Sequence, residues 1–270
     1  MAGSNPTGKA VLRASLELFR QDRQMVWLPV MSAVTAFITF AVIAGPVAIA
    51  APHAGLAIFI AAMVAAVVAT SATLIFQVAL CFAAADRIEG RDPTVAGALA
   101  QAWQRRTTIL KWAVLSAVVG TAIRMLEQRL GLIGRIIGVA GGLAWAVATF
   151  MVVPVLAFED VGPIEALKRS SSILKQRFGT VARGGLRFGF LFVGLSLAAL
   201  AVIALGVVVS IGHLPALGIP VAVIGFAALL GIGMYASAAG MYMRTILYRF
   251  AVGQPIPDLG VDVSQAFRTK

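Results

Sequence analysis

The amino-acid sequence predicts an all-α membrane protein with six transmembrane helices. Sixty per cent of its 270 residues are hydrophobic and only 12% are charged, and its mean hydropathy is +0.94. A water-soluble domain of this composition would have no place for its apolar side chains. The sequence also holds six apolar runs, most of them longer than the roughly 20 residues that a helix needs to cross a bilayer.

The six spans are predicted at 25–50, 56–85, 109–123, 136–158, 186–212 and 219–243. The first run is long for one crossing, so we expect it to tilt or to bend near Gly45 and Pro46. A cleaved signal peptide is the competing interpretation of this start. We favour a retained helix, because the apolar run is too long for a signal core and five further spans follow it.

Three basic amphipathic segments, each before a pair of spans, are expected to form helices along the lipid headgroups. The clearest is 159–187, where Pro163 suits the first helical position. Its apolar stripe recurs at steps of three and four residues and consists of Ile164, Leu167, Ser171, Leu174, Phe178 and Val181. The other two segments are 9–24 and 86–106.

One unit, an amphipathic helix followed by two spans, is predicted to occur three times. The units cover about 9–85, 86–158 and 159–250. At the end of each unit, a charged residue is followed by a glycine and then by a proline. Together they form a single membrane domain over 9–250. Residues 1–8 are predicted to be a disordered start, and 251–270 a cytoplasmic tail.

The formal net charge of +11, from 22 Lys and Arg against 11 Asp and Glu, indicates contact with anionic lipid. Nucleic acid is not expected as a partner, because the bases flank the apolar runs. Nineteen of the 22 bases fall on one side of the predicted membrane. The positive-inside rule therefore places both termini in the cytoplasm.

The sequence offers little of the chemistry that an enzyme needs, so we predict a noncatalytic protein without a cofactor. Its one cysteine, Cys81, lies in an apolar run and suits a packing role. Its two histidines, His53 and His213, fall in short turns. No spacing of acids and histidines resembles a metal site, and no glycine-rich loop resembles a phosphate-binding loop.

Three groups of side chains are the candidate binding residues. The predicted lipid-headgroup ligands are bases of two amphipathic segments: Lys168, Arg169, Lys175, Arg177, Arg105 and Arg106. An external group could bind an anion or a partner protein, or could anchor an interfacial helix: Arg124, Glu127, Arg129 and Arg135. A polar group within the second span could line a cavity or bond to neighbouring helices: Thr70, Thr73 and Gln77.

Residues 162–170, GPIEALKRS, and the pairs 174–175 and 178–179 resemble a segment of a known membrane domain. It is the six-helix domain attached to some bacterial glycerophosphodiester phosphodiesterases. The chain is also similar to free-standing prokaryotic membrane families of unknown function. Residues 22–29 carry this second resemblance. The resemblance implies a noncatalytic domain, since in the phosphodiesterases the chemistry belongs to a separate soluble domain. It also implies the plasma membrane of a prokaryote.

From these observations we expect a membrane scaffold or a lipid-interacting module. Small residues on its helices would allow it to form a homo-oligomer or to bind a membrane-protein partner. The alternative is a channel or permease for a small solute. Proton-coupled transport is disfavoured, because no carboxylate is expected near the middle of the membrane.

Overall fold

The computed structural model describes residues 16–17, 19–50, 53–129, 131–212 and 214–254. At 23, 129, 131–133, 135–137 and 176–188 it describes the backbone without the side chains. The predicted start at 1–8 lies outside the described residues, and so does the tail from 255. The side chains of three candidate residues are also outside them: Arg129, Arg135 and Arg177.

The described chain is helical and contains no strand. One turn of 3-10 helix, Arg23–Val26, precedes the α-helices. These are α1 (Trp27–Ala50), α2 (Gly55–Ile88), α3 (Val95–Gln104), α4 (Arg106–Arg129), α5 (Gly131–Ala148), α6 (Val152–Phe158), α7 (Pro163–Ile211) and α8 (Pro215–Val252).

Six helical stretches are long and apolar enough to cross a membrane, and they confirm the predicted multi-pass, all-α architecture. They are Gln24–Ala50, Gly55–Ile88, Arg106–Gln128, Gly138–Phe158, Gly189–Ile211 and Pro215–Val252. The fourth stretch consists of two helices, α5 and α6, separated by a turn at 149–151. At this turn the Thr149 hydroxyl donates to the Trp145 carbonyl at 2.8 Å, a bond that bends helices. The Met151 amide donates to the buried Ser170 hydroxyl at 3.1 Å.

The segment 163–188 differs from its prediction, because it is continuous with the fifth span in α7. No proline follows Pro163 within α7, so its backbone hydrogen bonds continue without a break. A helix of 49 residues is about 73 Å long. The hydrocarbon core of a bilayer is about 30 Å thick, so a large part of α7 extends beyond it.

Buried side chains concentrate where one set of helix ends meets. This region, which we name the base, comprises 78–88 of α2, 109–113 of α4, 151–157 around α6 and 238–249 of α8. Phe19, Met25 and Leu28 are buried against it. Helices α2 and α8 both end here in a glycine with a φ of 77°, Gly90 and Gly253. A left-handed glycine is a common way to end a helix.

The opposite halves of α1, α2, α7 and α8, which we name the far half, are widely exposed. Ile49 of α1 is 84% exposed and Ile211 of α7 is 74% exposed. Close packing here joins α7 to α8 through glycines. A Cβ atom added to Gly225 would lie 2.8 Å from the Ile203 nitrogen, and one added to Gly206 or Gly218 would collide with the opposite backbone. Small residues let neighbouring membrane helices approach in this way.

Candidate functional site

A buried aspartate joins the start of the chain to two helices of the base. Asp22 is only 1% exposed. Its carboxylate accepts hydrogen bonds from the Arg87 Nε atom at 3.0 and 3.1 Å and from the Tyr242 hydroxyl at 2.9 Å. Arg87 also pairs with Asp92 at 2.8 Å, but the Asp92 side chain is 91% exposed. The inner of these two ion pairs is therefore the one that is shielded from solvent.

A second charged group surrounds the end of α2. The Arg249 guanidinium of α8 pairs with Glu89, and Arg91 pairs with both Asp86 and Glu89. The hydrogen bond from Arg249, with a smaller effect of Arg91, holds the pKa of Glu89 below its usual value. The hydrogen bond to Asp86, and a second to Glu89, raise the pKa of Arg91. Both groups therefore stay charged near neutral pH.

A third charged group joins α7 to the base and includes two of the predicted lipid ligands. Arg169 donates to Glu159 at 3.0 Å, and Glu159 also accepts from the Tyr248 hydroxyl at 2.8 Å. Arg105 pairs with Asp160 at 3.2 Å. These two arginines are thus engaged within the protein.

The other described lipid-ligand candidates are more available to a headgroup. The guanidinium carbon of Arg106 lies 5.9 Å from the centre of the Trp103 ring, and Arg106 donates to the Trp103 carbonyl at 3.2 Å. Lys168 and Lys175 are exposed. Arg106 is exposed as well, so three of the six candidates are open to a headgroup among those whose side chains are described.

The predicted external group lies at the far end of α4 and the start of α5. Arg124 is exposed, and it is not within ion-pair distance of Glu127. The Glu127 side chain instead lies over Gly138 of α5, where an added Cβ atom would collide with it. Glu127 therefore packs between two helices, and only Arg124 of the described pair is open to a partner.

Gln77 lies between two small cavities beside α2 and α8. One, of about 220 Å³, is also lined by Ser32, Thr73 and Ser237. The other, of about 290 Å³, is lined by Gln77, Ser237 and Arg244 together with Phe150, Gly189 and side chains of α8. Thr73 and Gln77 thus meet at one cavity, whereas Thr70 lines neither. Arg244 was not a predicted site residue.

An apolar groove of about 1140 Å³ opens between the start of the chain, α7 and α8. Its inner wall is formed by side chains of the membrane-spanning stretches, and the charged Glu17 and Arg20 lie beside it. The wall consists of Val26, Trp27, Leu191, Phe192, Leu195, Gly231, Ile232 and Tyr235. The Phe19 ring, also in the lining, packs edge-on against Tyr235 with ring centres 5.0 Å apart.

Neither the charged groups of the base, as groups, nor the groove was predicted from the sequence. The partners Asp22 and Tyr242 are 220 residues apart, and Arg87 is 65 residues from Asp22. No local spacing indicates such pairs. A signal for Arg244 did exist, because apolar residues continue on both sides of it from Met241 to Leu247.

Among the described residues, no three His, Cys, Asp or Glu side chains are close enough to hold a metal ion. No curated protein and no solved structure matches the chain. Residues 54–255, well over half of the sequence, match the model of a family of unknown function, DUF6159. This match contains five of the six apolar stretches and most of the base. The chain therefore belongs to this family of unknown function.

Proposed function

We propose that this protein is a noncatalytic, lipid-interacting protein of a prokaryotic plasma membrane and that it holds a phospholipid in its groove. The groove between the chain start, α7 and α8 is the observation that carries this proposal. In the proposed orientation the base and both termini are cytoplasmic. The basis is charge, since most of the Lys and Arg side chains that the structure describes lie at the base ends of the helices.

The composition of the groove favours an acyl chain as its occupant. Leu191, Leu195 and Ile232 form its wall within stretches long and apolar enough to span a membrane. An acyl chain there would replace contacts with bulk lipid and would need no polar partner. Arg20, which is exposed beside the groove, is placed to attract an anionic headgroup.

The three amphipathic helices and the threefold repeat are part of the same proposal. The first and third units are followed by a glycine of the same left-handed conformation, Gly90 and Gly253. The exposed Lys168 and Lys175 support contact of the third amphipathic segment with lipid phosphates. The resemblance of 162–170 to the membrane domain of glycerophosphodiester phosphodiesterases supports a noncatalytic role. The exposed far half offers an apolar face for a second copy or a membrane-protein partner.

The test is to fill the groove and to measure the lipid that remains bound. Gly231 lines the groove, and an added Cβ atom there would meet nothing within 4 Å. We expect Gly231→Trp to reduce bound phospholipid severalfold in native mass spectrometry of the full chain in detergent. Replacing Arg20 by Gln should lower the preference for anionic lipid about fivefold, the effect of one base near a charged surface.

Gly233→Trp is the matched control. Gly233 lies two residues further along α8, does not line the groove and has no atom within 4 Å of an added Cβ. This variant should retain lipid as the wild type does. Equal retention of lipid by Gly231→Trp and the wild type would contradict the proposal.

A further inference from the structure

Three polar side chains that form no hydrogen bond or ion pair with a described residue face one cavity between α2, α7 and α8. Arg244, Gln77 and Ser237 all line the cavity of about 290 Å³. None of the ion pairs or hydrogen bonds among the described residues includes Arg244. Gln77 and Ser237 likewise make no hydrogen bond to a residue that the structure describes. Gln77 and Arg244 are half-buried and Ser237 is exposed, so all three polar groups can be reached by a ligand that enters this cavity.

The packing of Arg244 leaves the N–H donors of its guanidinium available to a ligand. The guanidinium carbon lies 4.8 Å from the centre of the Phe150 ring. Such stacking uses a face of the planar guanidinium and leaves the N–H groups at its edge free. The ring thus fixes the orientation of the cation without neutralising it.

We propose that Arg244, Gln77 and Ser237 form a binding site for a phosphate group. A guanidinium forms two parallel hydrogen bonds to phosphate oxygens, and such charge-assisted bonds are among the strongest in proteins. The Gln77 amide and the Ser237 hydroxyl supply further donors. The cavity is small, which suits a phosphate rather than a large solute.

The position of the cavity allows two sources of that phosphate. Arg244 is eight residues before the end of α8, about 12 Å along the helix axis. From Pro215 to Arg244 the helix rises about 44 Å, more than the roughly 30 Å of a hydrocarbon core, so Arg244 falls towards the surface of the membrane on the side of the base. The phosphate is therefore that of a lipid headgroup or a free phosphate ion. The site does not depend on the proposed lipid groove, since Ser237 and Arg244 do not line that groove.

The experiment uses the full-length chain in detergent or in nanodiscs and two probes. Inorganic phosphate is titrated calorimetrically, and phosphatidylglycerol in a phosphatidylcholine background is measured by native mass spectrometry. We expect Arg244→Gln to weaken binding of the recognised probe at least about tenfold, and Ser237→Ala to weaken it about fivefold. Gln77→Leu should have an effect similar to that of Ser237→Ala. Lys111→Gln, which removes an exposed cation of α4, is the control and should bind as the wild type does.

The outcomes separate the two sources and the alternatives. Binding of inorganic phosphate that depends on Arg244 assigns the site to a free anion. Binding of phosphatidylglycerol alone, with the same dependence, assigns it to a lipid headgroup. Gly231→Trp should remove groove-bound phospholipid but leave the Arg244-dependent part of either signal unchanged, so loss of the groove is distinguished from loss of this site. The proposal would be overturned if the protein bound neither probe. It would also be overturned if Arg244→Gln and Ser237→Ala bound the probe as well as the wild type does.

Discussion

The base and the far half are built from the same helices, yet they pack very differently. In the base, α2 and α8 bury long runs of side chains, including 78–81 and 245–249. In the far half the same two helices leave large apolar side chains exposed, such as Leu56 and Leu217. Lipid tails are as apolar as leucine, so burial gains little within the hydrocarbon core. Where water is the alternative, the hydrophobic effect drives the helices together.

Helix length explains why one chain contains both situations. Helix α2 is about 51 Å long and α8 about 57 Å, from 34 and 38 residues. Each exceeds the roughly 30 Å of hydrocarbon in a bilayer. Because the charged groups lie at the base ends of these helices, we expect those ends to lie at the membrane surface or beyond it. The buried core of this protein, with its charged groups, is therefore next to the membrane-embedded part.

The largest expected effect is the loss of the buried carboxylate in the base. Asp22→Asn removes the negative charge that Arg87 and Tyr242 contact and leaves a partly buried guanidinium without its inner partner. Removing one member of a buried ion pair typically costs about 3–5 kcal/mol. We expect a comparable fall in the free energy of unfolding, measured by thermal unfolding in detergent.

Asp92→Asn is the matched control, because it removes a carboxylate that pairs with the same arginine. Its side chain is almost fully exposed, and exposed ion pairs contribute about 0–1 kcal/mol. If Asp92→Asn destabilised the protein as much as Asp22→Asn does, burial would not explain the difference between the two pairs.

The second effect compares the same substitution in the two regions. Leu156 of α6 is fully buried in the base (0% exposed), whereas Leu217 of α8 in the far half is 63% exposed. Leu156→Ala should lower the free energy of unfolding by about 2–5 kcal/mol. Leu217→Ala should change it by less than about 0.5 kcal/mol. A large cost at Leu217 would indicate a partner helix over the far half in place of lipid.

The smallest effect is pH-dependent and concerns Glu89. The pKa of Glu89 is lowered in the folded protein, chiefly by its hydrogen bond from Arg249. The pair therefore stabilises the fold above the usual glutamate pKa of about 4.3, and this stabilisation is lost as the pH falls through the lowered pKa. We expect Glu89→Gln to cost about 1 kcal/mol at pH 7, because the carboxylate is exposed.

Thermal unfolding of both proteins from pH 7 to pH 3 measures this dependence. The difference between wild type and Glu89→Gln should disappear at the acidic end of the series. A difference that stayed constant throughout would show that charge pairing at Glu89 is not its cause.

The spans could be predicted from the sequence because their signal is local. An apolar run between polar segments fixes a span within a few residues, as for α1 and α2. The continuity of α7 was not predicted, because the amphipathic pattern of 163–188 describes which face is apolar but does not show where a helix ends. The turn between α5 and α6 depends on Ser170, which is 19 residues away.

The candidate site was predicted only in part, because its residues come from segments that are far apart in the sequence. Gln77 and Thr73 are polar residues in an apolar run, so each is conspicuous by itself. The sixth span was predicted to end at 243, directly before Arg244, since an arginine after an apolar run usually marks its end. Its approach to Phe150 and to the Gln77 cavity depends on the packing of α8 against α2, which no single segment encodes.

The contact between Asp22 and Tyr242 also has a consequence for biosynthesis. The two residues are separated by 220 positions, so the hydrogen bond from Tyr242 to Asp22 forms only after the last helix has left the ribosome. At 5–20 residues per second, that interval is on the order of ten to forty seconds. During it the Asp22 carboxylate has at most Arg87 as a partner. The last helix therefore completes the assembly, and chains truncated before Tyr242 should be recognised as incomplete and degraded.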